Sequence, residues 1–158
     1  MEGTLIMVVA GHPRLHEHST EDHMMNAEIV QLLVSHGIRA SLQRIAVMTY
    51  LLKNQRHPTA EMVYSALHPK FPTLSRSTVY QALDLFCEKG AAQKIVMGEG
   101  EMRFEADISI HGHFLCRKCS TIFNFFYPGD TELPAAPKDF HVEHRYLYYQ
   151  GICPSCAT

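Results

Sequence analysis

The chain has 158 residues, 46% of them hydrophobic, with 14 Lys and Arg against 16 Asp and Glu, for a formal charge of −2. No apolar run approaches the ~18–20 residues of a membrane span, and Leu5–Ala10, with no basic region ahead of it, does not read as a secretory signal, so the expected compartment is the cytoplasm and no membrane partner is expected. The length suits one ordinary domain or two small ones, and a domain of ~60–80 residues is marginal without a staple or a partner. Net acidity argues against a global field that attracts DNA. Yet the charges balance over residues 1–93, eight against eight, and the deficit lies in 94–158, six against eight. A DNA-binding N-terminal half stays open, provided its contacts come from locally placed cations.

Residues 1–23 read as a tail. They carry His12, His16, His18 and His23, but a disordered extension is the simpler reading than a metal-binding segment. A first helix is expected from Asn26 to His36, with Ile29, Leu32 and Leu33 on its apolar face and Gly37 as its stop. Ser41 caps a second helix that turns Ile45, Met48, Leu51 and Leu52 inward. After His57-Pro58-Thr59, a third covers Ala60–Leu67 with Met62, Val63 and Leu67 as its face. A fourth starts after Ser75 or Ser77 and ends at Gly90, with a stripe of Val79, Leu83, Phe86 and Cys87. Gln93–Val96, a Gly98-Glu99-Gly100 turn and Met102–Ala106 then read as a β-hairpin. Short helices followed by a hairpin make a winged helix-turn-helix. The rest is strand-rich: Phe114–Cys116, Thr121–Phe126 and Tyr146–Gln150, with a loop or short helical turn across Asp130–Lys138. The fold class is α+β. Residues 24–107 form the winged-helix unit and 108–158 a second small unit.

Cys116-x-x-Cys119 and Cys153-x-x-Cys156 are the strongest chemical signal. In a cytosolic protein such pairs favour metal over disulfide, and four thiolates suit tetrahedral zinc. The 33-residue gap leaves room for a small sheet closed by the metal; a redox dithiol is the alternative. Cys87, on an apolar helix face, reads as a core residue. His111-Gly112-His113 is the second signal: residues two apart in a strand face the same side and offer two imidazoles to one ion. Glu105 lies nearby at the end of the hairpin. By itself His57 reads as a capping or surface histidine. The third signal is the start of the fourth helix, where Arg76, Ser77, Thr78, Tyr80 and Gln81 bring the residue types that reach phosphates and base edges.

Several motifs in one order carry a resemblance: His57-Pro58-Thr59-Ala60-Glu61, Ser77-Thr78-Val79-Tyr80, Arg103-Phe104-Glu105, His111-Gly112-His113-Phe114-Leu115-Cys116 with Cys119, and Gly151-Ile152-Cys153 with Cys156. Together they resemble the ferric uptake regulator (Fur) superfamily over about residues 26–156, and Gln43-Arg44 fits its Gln-Arg in the second helix. Phe125-Phe126-Tyr127-Pro128-Gly129 looks most like the peroxide-responsive repressor branch. The resemblance implies a homodimeric transcriptional repressor, with the second unit serving dimerisation, on a pseudo-palindromic double-stranded DNA operator. It implies a structural Zn(2+) and a regulatory Fe(2+) or Mn(2+) at His57, Glu105, His111, His113 and position 124. The branch has aspartate at that last position, iron sensors have glutamate, and this chain has Asn124. A further family site is degraded, with Ile110 and Gly112 in place of His and Asp, although His144 remains. In the branch, peroxide oxidises the histidines that match His57 and His111, the metal leaves and DNA is released. A Fur-type repressor that answers to metal concentration alone is the alternative. A zinc-ribbon enzyme or a metal chaperone stands further off, because no nucleophile or base lies beside an open metal position.

Overall fold

The computed structural model describes residues 20–54, 57–97, 100–126, 137–142 and 146–157. In chain order these form α1 (Thr20–Ser35), α2 (Leu42–Lys53), α3 (Ala60–Leu67), α4 (Arg76–Glu88), β1 (Gln93–Met97) and β2 (Glu101–Glu105). Then come β3 (Gly112–Cys116), β4 (Ile122–Phe125), β5 (Tyr148–Gly151) and α5 (Pro154–Ala157). Among the described residues, no helix is long and apolar enough to cross a membrane. The expected histidines at 12, 16, 18 and 144, the Gly98-Glu99 part of the hairpin turn, Tyr127–Gly129 and most of the 130–138 loop lie outside the described residues.

The helices start and stop where side chains satisfy the backbone. Ser41, Thr59 and Ser75 accept hydrogen bonds from the amides of Arg44, Met62 and Thr78, so each uncapped first turn gains an acceptor. Gly37 has φ +70 and ends α1: its amide donates to the Val34 carbonyl, and Ile38 donates to Leu33. This crossed pair is a Schellman cap, and Gly90 repeats it after α4, with bonds to Cys87 and from Ala91 to Phe86. The start of α1 differs from expectation. It begins at Thr20, inside the stretch read as tail. The expectation followed apolar periodicity, which begins only at Ile29.

The helical half packs Ile29, Leu33, Ile38, Val47, Met48, Leu51, Val63, Leu67, Leu74, Val79, Leu83 and Phe86 into one core. Two expected core residues face out instead: Leu52 is 42% exposed and Met62 44%. Each sits about 100° around its helix from a buried neighbour, Leu51 or Val63, and the buried stripe is narrower than composition suggests. The β1–β2 hairpin pairs Gln93 with Glu105 and Met97 with Glu101. Its Phe104 is 1% exposed and enters the helical core, which ties the wing to the helices.

The second sheet runs in the order β4-β3-β5, antiparallel between β3 and β4 and parallel between β3 and β5. β5 ends at Gly151, one residue beyond expectation, and the short α5 was not anticipated. This half has little core. Among its described residues, the fully buried apolar side chains are Cys116, Ile122 and Cys153.

Gly112 pairs with Phe125 across β3 and β4, and the Phe125 ring stacks on Tyr149 at 5.3 Å. A Cβ at position 112 would clash with the tip of that ring, at Cζ. Gly112→Ala is therefore expected to force the ring off its stack and destabilise the protein by about 1–3 kcal/mol, read as a lower midpoint in urea. Adding Phe125→Leu, which removes the ring, should recover part of the loss; equal midpoints for wild type and Gly112→Ala would show that the ring moves aside freely.

Candidate metal centres

Four sulfurs come together at one end of the small sheet. Cys116 closes β3, Cys119 follows in the turn to β4, Cys153 follows β5 and Cys156 sits in α5. Their Sγ atoms lie within 4.8 Å of one another, and Cys119 Sγ is 3.9 Å from Cys153 Sγ. A ZnS4 tetrahedron with ~2.3 Å bonds has edges of about 3.8 Å, whereas a disulfide would need ~2.05 Å. All five cysteines are free. The Cys153 amide donates to Cys116 Sγ at 3.3 Å and is the main cause that holds the Cys116 thiol down to about 6. Cys156 is pushed up to about 12, first by its contact with Cys153 and then by burial. Four such neighbours cannot all ionise without a cation between them, so the donor set fits zinc. Cys87 is half-buried away from this cluster, and burial pushes its thiol up to about 11, as suits an inert core residue.

The second cluster joins the two halves of the chain. His57 precedes α3, Glu105 ends β2, His111 precedes β3 and His113 lies within it. All four are buried, between 1% and 7% exposed, although His57 alone read as a surface residue. Glu105 Oε2 is 2.9 Å from His57 Nε2, Glu105 Oε1 is 3.1 Å from His113 Nε2, and the Nε2 atoms of His111 and His113 are 3.1 Å apart. A cation with ~2.1 Å bonds places adjacent ligand atoms about 3.0–3.4 Å apart, so the four groups stand at ligand spacing. Burial alone would raise the Glu105 carboxyl. The hydrogen bonds from His113 and His57 outweigh it and hold the group at about 2, ionised at any ordinary pH.

His57 has φ 50, a left-handed conformation that costs a non-glycine residue of order 1 kcal/mol or more. Strand β2 offsets that cost. Arg103 donates to the His57 carbonyl at 3.1 Å and the Phe104 amide to the Pro58 carbonyl at 3.0 Å. Asn124 lies opposite His113 in the β3–β4 ladder. Its Oδ1 and the Nδ1 of His57 are buried side-chain atoms with no hydrogen-bond partner among the described residues. A buried, orphaned carbonyl oxygen on the residue paired with His113 is a candidate for a further oxygen ligand. Gln93, which the sequence reading did not single out, donates to Glu105 Oε1 at 2.6 Å. The hairpin reading held the signal, since a turn centred on Glu99 places 93 opposite 105.

Four of the seven residues expected to read DNA line one groove. They are Gln43 and Arg44 on α2 and Thr78 and Gln81 on α4, and Arg39 and Ser41 complete its lining. Tyr80 is 48% exposed and points outward. The hydroxyls of Ser77 and Thr78 both bond to the Ser75 hydroxyl at 2.8 Å, so they support the helix start as well as facing outward. The Arg76 guanidinium grips Glu61 at 3.0 Å and lies over the Tyr64 ring at 4.4 Å. Glu61 and Tyr64 were not expected near this surface, because they belong to α3.

A family model described as the ferric uptake regulator family matches residues 35–149. The peroxide-responsive repressor PerR of Staphylococcus epidermidis is 36% identical over 138 residues, 85% of this chain and 91% of that protein. The peroxide operon regulator of Bacillus subtilis is 38% identical over 133 residues, 82% of this chain and 92% of that one. In fold, the chain is similar to the Helicobacter pylori ferric uptake regulator, with a TM-score of 0.62 at 18% identity over 86% of this chain and 93% of the other. The Francisella tularensis ferric uptake regulator with iron gives 0.61 at 22% identity, over 77% and 96%.

The thiolate geometry yields an expected outcome. Purified protein should carry one tightly held zinc per chain, and Cys119→Ser should lose it. Structural zinc contributes on the order of 10 kcal/mol in small zinc-dependent folds, and the strand half has little else to hold it. Metal content by mass and a melting curve check this. A zinc-free Cys119→Ser protein that melts as cooperatively as wild type would show that the sheet stands without the metal.

Proposed function

The chain belongs to the ferric uptake regulator family, and we infer that it is a metal-dependent DNA-binding transcriptional repressor whose regulatory centre is His57, Glu105, His111, His113 and Asn124. It is a regulator and not an enzyme. Zinc serves structure at Cys116, Cys119, Cys153 and Cys156, and Fe(2+) or Mn(2+) serves regulation. The observation that carries this reading is the buried cluster that joins the helical half to the strand half. His57 comes from one side, His111 and His113 from the other, and Glu105 sits between them. A cation held by all four fixes the angle between the halves. A difference in affinity between the open and closed arrangements shifts the population toward the form that binds DNA.

On DNA, the N-terminal part of α4 enters the major groove, with Tyr80 and Gln81 toward the base edges and Arg76, Ser77, Thr78, Gln43 and Arg44 toward phosphates. The exposed Arg76–Glu61 pair contributes little by itself and exchanges readily for a phosphate. The operator is a pseudo-palindrome read by two copies. Phe123, Tyr149 and Ile152, all more than 40% exposed on the small sheet and its flank, give apolar surface suited to a second copy.

The regulatory centre responds to peroxide. Iron(II) held there would donate the single electron that splits the O–O bond; overall one oxygen of peroxide would enter a ring C–H, the ring would lose two electrons, and the other oxygen would leave as water. His57 and His111 hold their rings at ligand distance, and an oxygen atom added to either ring removes it as a ligand. Asn124 tunes this response. Its orphaned Oδ1 favours a direct ligand role over a hydrogen-bonding support role. As a neutral donor it holds a hard cation less firmly than a carboxylate would.

Two experiments test this. Tyr80→Ala should weaken operator binding by about 1–3 kcal/mol, with zinc content and melting unchanged; wild-type affinity would mean that another element enters the groove. For the sensor, protein loaded anaerobically with Fe(II) is treated with peroxide, digested and analysed by peptide mass spectrometry. Added oxygen on the peptides carrying His57 or His111, with loss of DNA binding, is expected. Asn124→Asp should bind Fe(II) about tenfold more tightly and oxidise faster. Unmodified histidines with retained DNA binding would leave a repressor that answers to metal concentration alone.

A further inference from the structure

Gln93 stands outside the proposed ligand set, yet it makes the shortest contact that Glu105 has with any neighbour, 2.6 Å from Nε2 to Oε1. The same nitrogen donates to the Asp107 carbonyl at 2.8 Å. A primary amide has two N–H bonds, and both are used here. One holds the carboxylate between the three imidazoles. The other holds the first stretch of chain after β2, which leads on to His111 two residues past Ser109. The β1–β2 register places Gln93 directly opposite Glu105, so a neighbouring strand delivers the amide and no rearrangement is needed. The amide is neutral, so it adds no charge to compete with a cation. It occupies Oε1 from the hairpin side, while Oε2 faces His57.

The geometry points to Gln93 as the positioning residue of the regulatory metal centre: its amide clamps the Glu105 carboxylate to the Asp107 carbonyl. Carboxylate orientation and the path of the linker between the two halves are thereby set together. This inference rests on reading His57, Glu105, His111 and His113 as a metal centre. It goes further in naming what prepares the carboxylate before the cation arrives. Without the clamp, Glu105 is free to rotate about its terminal bond toward whichever imidazole donates. The Asp107 carbonyl then loses the partner that ties residues 106–111 to the wing. Partners that orient a metal ligand in this way typically matter about 10–100-fold in affinity.

The test uses the full chain with its zinc in place and Co(II) as the probe. Gln93→Met keeps the length of the side chain and removes both donors. Gln93→Asn keeps the amide and is one methylene too short to span both acceptors. Both variants should bind Co(II) about 10–100-fold more weakly and shift its visible absorption bands. Zinc content should stay at the wild-type value, and any fall in the melting temperature before Co(II) is added should be too small to account for the loss of affinity. Wild-type Co(II) affinity and spectrum in both variants would overturn the proposal and leave the metal centre standing. A wild-type protein that takes up no metal beyond its zinc would overturn the metal-centre reading instead. An affinity loss that tracks an equal loss of melting temperature in both variants would show a purely structural role and also overturn it. If Gln93→Met does not fold, Gln93→Asn decides on the same readouts.

Discussion

A single carboxylate, 6% exposed, organises the molecule. An ionised Glu105 buried alone would be too costly to keep, and three imidazoles with one amide make it tolerable. Those partners come from four places in the chain: the turn before α3, strand β1, the approach to β3, and β3 itself. Satisfying one charge therefore brings the helical half, the wing and the strand half to the same point. The bonds that β2 makes to the carbonyls of His57 and Pro58 serve the same end, because they hold His57 in a backbone conformation it would not choose.

The thiolate cluster does a separate job. With few buried apolar side chains around it, the small sheet depends on covalent geometry and coordination more than on packing. Zinc held by the four thiolates would staple the turn after β3 to the end of β5, and under the proposed function the histidine centre sets how that half sits against the helices. Strand β3 belongs to both centres. His113 and Cys116 are three residues apart, and alternation turns them to opposite faces.

Charge follows the same economy on the exposed faces of α3, α4 and β1. Glu61 neutralises Arg76 and Asp84 neutralises Lys94 in the free protein, and the Tyr64 ring supports the guanidinium from below. These exposed pairs cost little to exchange. That is how a chain with a formal charge of −2 can present cations to phosphates: they are local and partnered, and no long-range field is needed.

The sequence alone determined the element order from α1 to β5, the caps at Ser41 and Thr59, the glycine stops at 37 and 90, the two Cys pairs and the His-x-His spacing, while it left the cap of α4 between Ser75 and Ser77. Each of these is a short-range property, fixed by a side chain reaching its own backbone or by the period of a helix or strand. The same locality explains the misses. Periodicity cannot see a helix start that lacks an apolar repeat, so α1 reached back to Thr20 unannounced. It cannot choose between neighbours such as Leu51 and Leu52 when both are apolar. Only the tertiary structure took His57 from the surface to 1% exposure, left Asn124 Oδ1 without a partner, and put Gln93 on Glu105. Those facts depend on groups such as Gln93 and Glu105, 12 positions apart, and His57 and His113, 56 apart, meeting in space. No local preference encodes such a meeting; it follows from burying one carboxylate where every element that touches it must supply a donor.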